Sequence, residues 1–440
     1  VAVLTALLAA IAAVVMVLSP LIAQALTSLS SDPEVAADKL RVMRPMLLVF
    51  IPQIIFYGIG MVATAALAAR RRFAAAALAP AVNNLVVIVC YLLYRASRSG
   101  QTASLDLDAV QFALLAGGTT VAVVCFTAVP GIVLRAQGVR WRPRWDLDHV
   151  AVRSLRTSVG WAMLSVLGTL VPTAAAMVLG YGVEGGVAVF TFAFAFFVLP
   201  HALIAVPVAT AVAPRVADAW QRGLRAETGD LIERSARVVV PLLLLAGAGL
   251  VALAWPVTRV VASFGQAASQ GLAPIAHAMA AFGFGLVGYG MAFMMTRVLF
   301  SLEEVKRAAV LLSGAALAGV VVMGVAASVL SDANRAAALA LGYGATQTMS
   351  AAVLTLRVRQ VTGSPSWASL GRLSIGSAVA AVASGAVMAV VQHQFATDRA
   401  SSAAAIVVAG TCGVAVFLLV APPLTGVRVS ALLRRSAARV

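Results

Sequence analysis

Twelve long, nearly uncharged apolar stretches divide this chain. Each is about as long as a helix must be to cross a hydrocarbon core, near 20 residues for roughly 30 Å. They lie near 1 to 26, 45 to 69, 74 to 94, 109 to 134, 157 to 180, 186 to 212, 236 to 262, 272 to 299, 308 to 330, 336 to 356, 373 to 392 and 402 to 421. In lipid every backbone N–H and C=O must be paired internally, which leaves helices or the strands of a closed barrel. Barrel strands alternate lumen-facing polar residues, and these stretches are too long and too continuously apolar for that. The expected fold class is all-α, a polytopic transmembrane helical bundle. Charged residues make up 11% of the chain, against about 25% in a soluble domain.

A net charge of +16 raises the question of nucleic acid, and the distribution of the cations answers it. They collect in every second gap: Arg70 to Arg72, then Arg135 to Arg156, Arg215 to Arg234, Lys306 and Arg307, Arg357 to Arg372, and the tail with Arg428, Arg434, Arg435 and Arg439. These gaps hold twenty-two of the 32 Lys and Arg residues and the intervening gaps seven. Such a bias marks the cation-rich side as cytoplasmic. The expectation is a multi-pass protein with both ends of this chain inside, its basic loops attracted to anionic membrane lipids. Nucleic acid is not an expected partner, since no folded domain presents the cations as a patch.

No enzyme constellation appears. The four histidines, His149, His201, His277 and His393, have no metal-ligand spacing, no serine lies beside a plausible base, and no metal or cofactor is expected. All carboxylates lie outside the apolar stretches, which argues against an intramembrane proton relay. Cys90, Cys125 and Cys412 lie inside them and read as packing residues. Arg297 and Arg259 lie near span ends, where each is either a snorkelling cation or a group facing an aqueous cavity and holding an anionic headgroup. His201 follows Pro200 in a span that also contains Pro207, and both prolines favour a bend. It is either a packing residue or a cavity-lining one. Gly283, Gly285, Gly288 and Gly290 fit close helix packing or flexing better than a phosphate loop.

Two hairpins six spans apart, around Arg70 to Phe73 and around Phe300 to Arg307, share short charged turns, as expected of a two-lobe transporter. The segment from Ile51 to Asn84, IPQIIFYGIGMVATAALAARRRFAAAALAPAVNN, resembles the fourth and fifth helices of MurJ/MviN-type lipid II flippases of the multidrug/oligosaccharidyl-lipid/polysaccharide exporter superfamily. Pro52, the Arg72-Phe73 turn, Pro80 and Asn84 carry the match. Pro200, Thr210 and Pro214, then Pro256 and Gly265, then Arg297, continue it.

The resemblance implies that the twelve spans are helices three to fourteen of a fourteen-helix flippase, with the first two absent and the chain N-terminally truncated. It implies the rest of an N-terminal lobe over 1–156, a C-terminal lobe over 157–356, and a C-terminal helix pair with a basic tail over 357–440. Substrate-cavity candidates are His201, Arg297, Arg259 and Asn84; helix-bending candidates are Pro200, Pro207 and Pro80. The implied activity is translocation of lipid II, a polyprenyl-diphosphate-linked peptidoglycan precursor, from the inner to the outer leaflet of a bacterial plasma membrane. Its implied partners are that precursor, membrane lipids and cell-wall synthesis proteins. The chain departs from the family pattern at Ala195 and Val198, where an arginine and a carboxylate are usual. The departure keeps two alternatives open: an exporter of another lipid-linked glycan or amphipathic molecule, and a transport-inactive scaffold for cell-wall assembly.

Overall fold

The computed structural model describes residues 2–27, 33–70, 72–98, 106–139, 150–183, 185–261, 271–329 and 334–425. The chain forms two compact units, Val1–Arg156 and Thr157–Val440. The first contains α1 (Ala2–Thr27), α2 (Pro33–Phe50), α3 (Gln53–Ala69), α4 (Phe73–Ser97), α5 (Ala109–Phe112), a π-helical turn (Ala113–Gly117) and α6 (Gly118–Ala136). The long helix α7 (Val150–Gly180) begins at the boundary and belongs chiefly to the second unit. There follow α8 (Gly186–Gln221), α9 (Arg225–Ala252), α10 (Ala254–Val261), α11 (Leu272–Ser301), α12 (Val305–Val329), α13 (Arg335–Thr362), α14 (Trp367–Gln392) and α15 (Arg399–Thr425). The described residues are helical and polytopic as the apolar pattern requires.

Eleven spans among the described residues are long and apolar enough to cross a membrane. The expected stretch 336–356 is not one of them, although it lies in α13, a helix of 28 residues. It falls short because it buries Thr346, Gln347, Ser350 and Thr355. α13 packs against α11 and α12, so its polar groups face protein rather than lipid, where such residues are tolerated. α11 is the centre of this unit: it packs on α8, α9 and α13, and 72% of its apolar window is buried.

Glycines permit that centrality. A Cβ on Gly283 would lie 2.6 Å from the Gly247 carbonyl oxygen on α9, and one on Gly288 would lie 2.6 Å from Thr348 Cα on α13. The glycine-rich run of α11 therefore works by close backbone approach, the way small residues work where no hydrophobic effect drives helices together. α14 packs on α9 and on α15, and α15 also on α10, so the C-terminal pair is part of the second unit.

Polar groups lock one end of this unit. Arg357 near the end of α13 donates from Nη2 to both oxygens of Glu304, each at 2.9 Å, in the turn joining α11 to α12. Glu233 on α9 accepts from Ser366 N–H at 3.2 Å, from the Ser364 and Ser369 hydroxyls at 3.4 Å, and from Arg237 at 3.3 Å. It thereby ties the α13–α14 loop to α9. The Glu304–Arg357 pair is mostly shielded, with side-chain exposures of 25% and 21%. Glu304→Ala is expected to lower unfolding stability by about 1–3 kcal/mol, since bonds to charged groups outweigh neutral ones. A thermal melt in detergent reads this, and an unmoved midpoint would show the pair to be as weak as an exposed one.

Candidate substrate cavity

A cavity of about 580 Å³ opens in the second unit between α7, α8, α11 and α13, with Leu312 of α12 at one edge. α7 supplies Ser165, Thr169 and Thr173, four residues apart and so on one face of the helix. α11 supplies Tyr289, Phe293, Thr296 and Arg297 by the same periodicity, and α13 supplies Tyr343 and Gln347. Among these described lining residues Arg297 is the one that carries a charge. Its guanidinium lies over the Phe293 ring, 5.1 Å from the centroid, near the C-terminal end of α11.

The polar lining is oriented by its own helices. Ser165 donates to Trp161 O at 3.1 Å, Thr169 to Val166 O at 2.7 Å and Thr296 to Ala292 O at 2.7 Å. Each hydroxyl hydrogen is thus directed into its own helix, and the oxygen keeps acceptor capacity toward the cavity. At the base Tyr343 is 1% exposed and has polar side-chain contacts with Thr173, Gln347 and Tyr289. The cavity therefore grades from a cation at one end to neutral donors and acceptors among aromatic faces at the other. An anionic group carrying a neutral polar moiety would be complementary to that gradient.

His201 does not line this cavity; it stands behind its wall. The imidazole is buried, 4.3 Å from the Tyr289 ring and 5.1 Å from the Phe293 ring between centroids. Its Nδ1 has no hydrogen-bond partner among the described residues. Arg259 is in the last turn of α10 with its guanidinium 5.8 Å from the Trp255 ring. Its helix leads toward the start of α11, and Arg297 sits at the other end of α11, so the structure does not bring the two arginines together. Asn84 is in the first unit, exposed on α4, and accepts from Asn83 at 3.3 Å. Pro200 and Pro207 lie within α8 and Pro80 within α4; both helices run through their prolines without a break. Gly265 and the tail arginines lie outside the described residues.

Sequence reasoning passed over Tyr289, Tyr343, Gln347 and the α7 hydroxyls. Their signal was present as four-residue spacing of Ser165, Thr169 and Thr173 and of Tyr343 and Gln347. Such spacing marks a helix face without saying which faces converge. A second groove of about 430 Å³ lies between α9, α11, α13 and α14, walled by Phe284, Val287, Met291 and Leu370. Helical periodicity puts it on the opposite face of the α11–α13 pair from the Arg297 cavity.

A helical bundle with a cavity between membrane-length helices is an arrangement that secondary transporters use, and several solved transporter structures share this chain's fold. A lipid II flippase MurJ in an inward closed conformation superposes with a TM-score of 0.68 at 15% identity, over 98% of this chain and 82% of that one. An inward-facing multidrug resistance MATE family transporter of the MOP superfamily gives 0.64 at 15%, over 82% and 79%. A MOP superfamily transporter from Pyrococcus furiosus Vc1 (DSM3638) gives 0.57 at 16%, over 82% and 77%. At these identities the shared property is the fold. The family model for lipid II flippase MurJ matches residues 1–407, and the chain belongs to that family. A probable lipid II flippase MurJ of Rhizobium meliloti (strain 1021) is 26% identical over 220 residues, covering 50% of this chain and 39% of that protein. The chain thus aligns with well under two thirds of that relative's length.

Proposed function

We propose that this protein carries a polyprenyl-diphosphate-linked peptidoglycan precursor, lipid II, from the inner to the outer leaflet of a bacterial plasma membrane by alternating access. The observation that carries the proposal is the placement of Arg297 at the rim of a cavity otherwise lined by neutral polar and aromatic groups. Bringing a diphosphate into the membrane interior requires compensating charge, and a planar guanidinium meets phosphate oxygens with two donors at once. Membership of the MurJ family supports the same substrate class.

The cation-rich gaps are taken as cytoplasmic, with the N-terminal part of the chain and its tail on that side. Arg297 then lies toward the inner leaflet, where the precursor is loaded. The polyprenyl tail stays in lipid while the headgroup occupies the cavity, which opens alternately to each side. Among the candidates named from the sequence, Arg297 is assigned to the headgroup; His201 supports the aromatic wall; Arg259 and Asn84 receive no headgroup role from their positions.

A second reading, export of a different lipid-linked glycan or amphipathic molecule, is favoured by Ala195 and Val198. These positions present no charge on α8, the helix that contributes Phe194 to the cavity. Measuring headgroup exposure in cells depleted of their own flippase separates the two. Restored exposure of lipid II supports the first reading, and a well-folded protein that restores none would reject it.

A further inference from the structure

We propose that the first unit contains a coupled hinge in which the break between α2 and α3 and the π-helical turn before α6 bend as one element, linked by the Thr120 hydroxyl. α2 and α3 are one apolar span, Ala36–Leu67, interrupted at Pro52. Proline has no N–H to give to Leu48 O, and the chain beyond it closes with tighter bonds, Ile54 N–H to Ile51 O at 3.2 Å and Ile55 N–H to Pro52 O at 3.1 Å. Carbonyls at the end of α2 thereby lose their helical donors. The facing rod carries its own irregularity, since a π-helical turn holds one residue more than an α-helical turn and recurs at sites of function.

Thr120 joins the two. Its oxygen accepts from Gln53 Nε2 at 2.7 Å, one residue past the proline. Its single hydrogen has two carbonyls in reach: Ala116 O in the π-helical turn at 3.0 Å, and Val49 O at the end of α2 at 3.4 Å. A hydroxyl can donate to one of these at a time. Rotation about one bond therefore moves satisfaction from the π turn to the proline break, which is the discrete two-state element a hinge requires. Neighbouring contacts hold the pair in register. Thr127, seven residues on, donates to Phe56 O at 2.7 Å, and Arg41 of α2 pairs with Asp106 just before α5. On the other side, a Cβ on Gly118 would meet Cys90 Sγ at 2.7 Å, so α4 packs directly on the π-helical turn's exit.

The hinge stands on these bonds, and its use in transport rests on the flippase reading above. Hydrogen–deuterium exchange of the protein in lipid nanodiscs tests it. Thr120→Val keeps the side-chain shape and removes the hydroxyl; Gln53→Leu removes the partner from the other helix. Each is expected to accelerate exchange at residues 51–55 and at 113–118 together, about five- to tenfold, with amides beyond Thr127 unchanged. Lipid flipping by the same variants is expected to fall about threefold or more. If either substitution accelerates only its own helix, or neither segment, the bends are independent and the proposal is overturned. Coupled exchange in a protein that flips no lipid II would uphold the hinge and remove the flippase reading, so the two failures are distinguishable.

Discussion

Arg297→Ala is expected to reduce lipid II headgroup exposure about ten- to a hundredfold while leaving the protein folded. A charge-assisted hydrogen bond contributes roughly 1.5–3 kcal/mol, and about 1.4 kcal/mol is a factor of ten. Arg297 is exposed at the cavity rim and rests on Phe293, so its removal leaves no hole in the core. Arg297→Lys restores the charge without the planar fork, and it is expected to recover part of the activity. Arg297→Glu is expected to abolish transport, because a carboxylate would face the diphosphate. The assay is appearance of headgroup at the outer leaflet in cells depleted of their own flippase, with membrane levels of each variant checked in parallel. Wild-type transport by Arg297→Ala at normal abundance would reduce Arg297 to a snorkelling cation and remove the observation on which the function rests.

The largest expected effect on stability lies at the crossing of α11 and α13. A Cβ on Gly285 would run into Gly344 Cα, and one on Gly344 would come within 2.9 Å of Gly285 Cα. Both obstacles are backbone, which cannot rotate aside as a side chain can. Gly285→Val is therefore expected to force the helices apart and destabilise the second unit by about 3 kcal/mol or more, with the melting midpoint falling accordingly. Gly314→Ala and Gly324→Ala on α12 form the control, since a Cβ at either would meet nothing within 4 Å. They are expected to leave the midpoint unchanged or raise it by up to about 1 kcal/mol in stability. Equal melting of Gly285→Val and the controls would mean that the close crossing carries no energy. The crossing also separates the Arg297 cavity from the apolar groove beside α14, so widening it is expected to disturb both.

Much of this molecule was legible along the chain because lipid imposes a one-dimensional rule. Where no water is present to satisfy the backbone, about 20 apolar residues must be helical, and that condition is met or missed locally. The one span whose character the rule misjudged, α13, packs against α11 and α12, and its Thr346, Gln347 and Ser350 are hidden by protein. Glycine spacing on α11 indicated close approach, but not that Gly283 meets α9 while Gly285 and Gly288 meet α13. His201 drew notice as a polar group beside a proline. Whether it lined a cavity depended on Tyr289 and Phe293, which are 88 and 92 positions further along the chain and stand in front of it.

Hydropathy and charge thus determined by themselves that the chain is a membrane-crossing helical bundle, and the order of its prolines and turns pointed to its family. The tertiary structure decided which faces converge: that Arg297 shares a cavity with Tyr343 and Gln347, that Arg259 sits at the far end of α11, and that Thr120 stands between two irregular helices. The division has a physical cause. Transfer into lipid is a property of each segment taken alone, whereas a cavity or a hinge is formed by side chains from several helices whose rotation and crossing are set by packing.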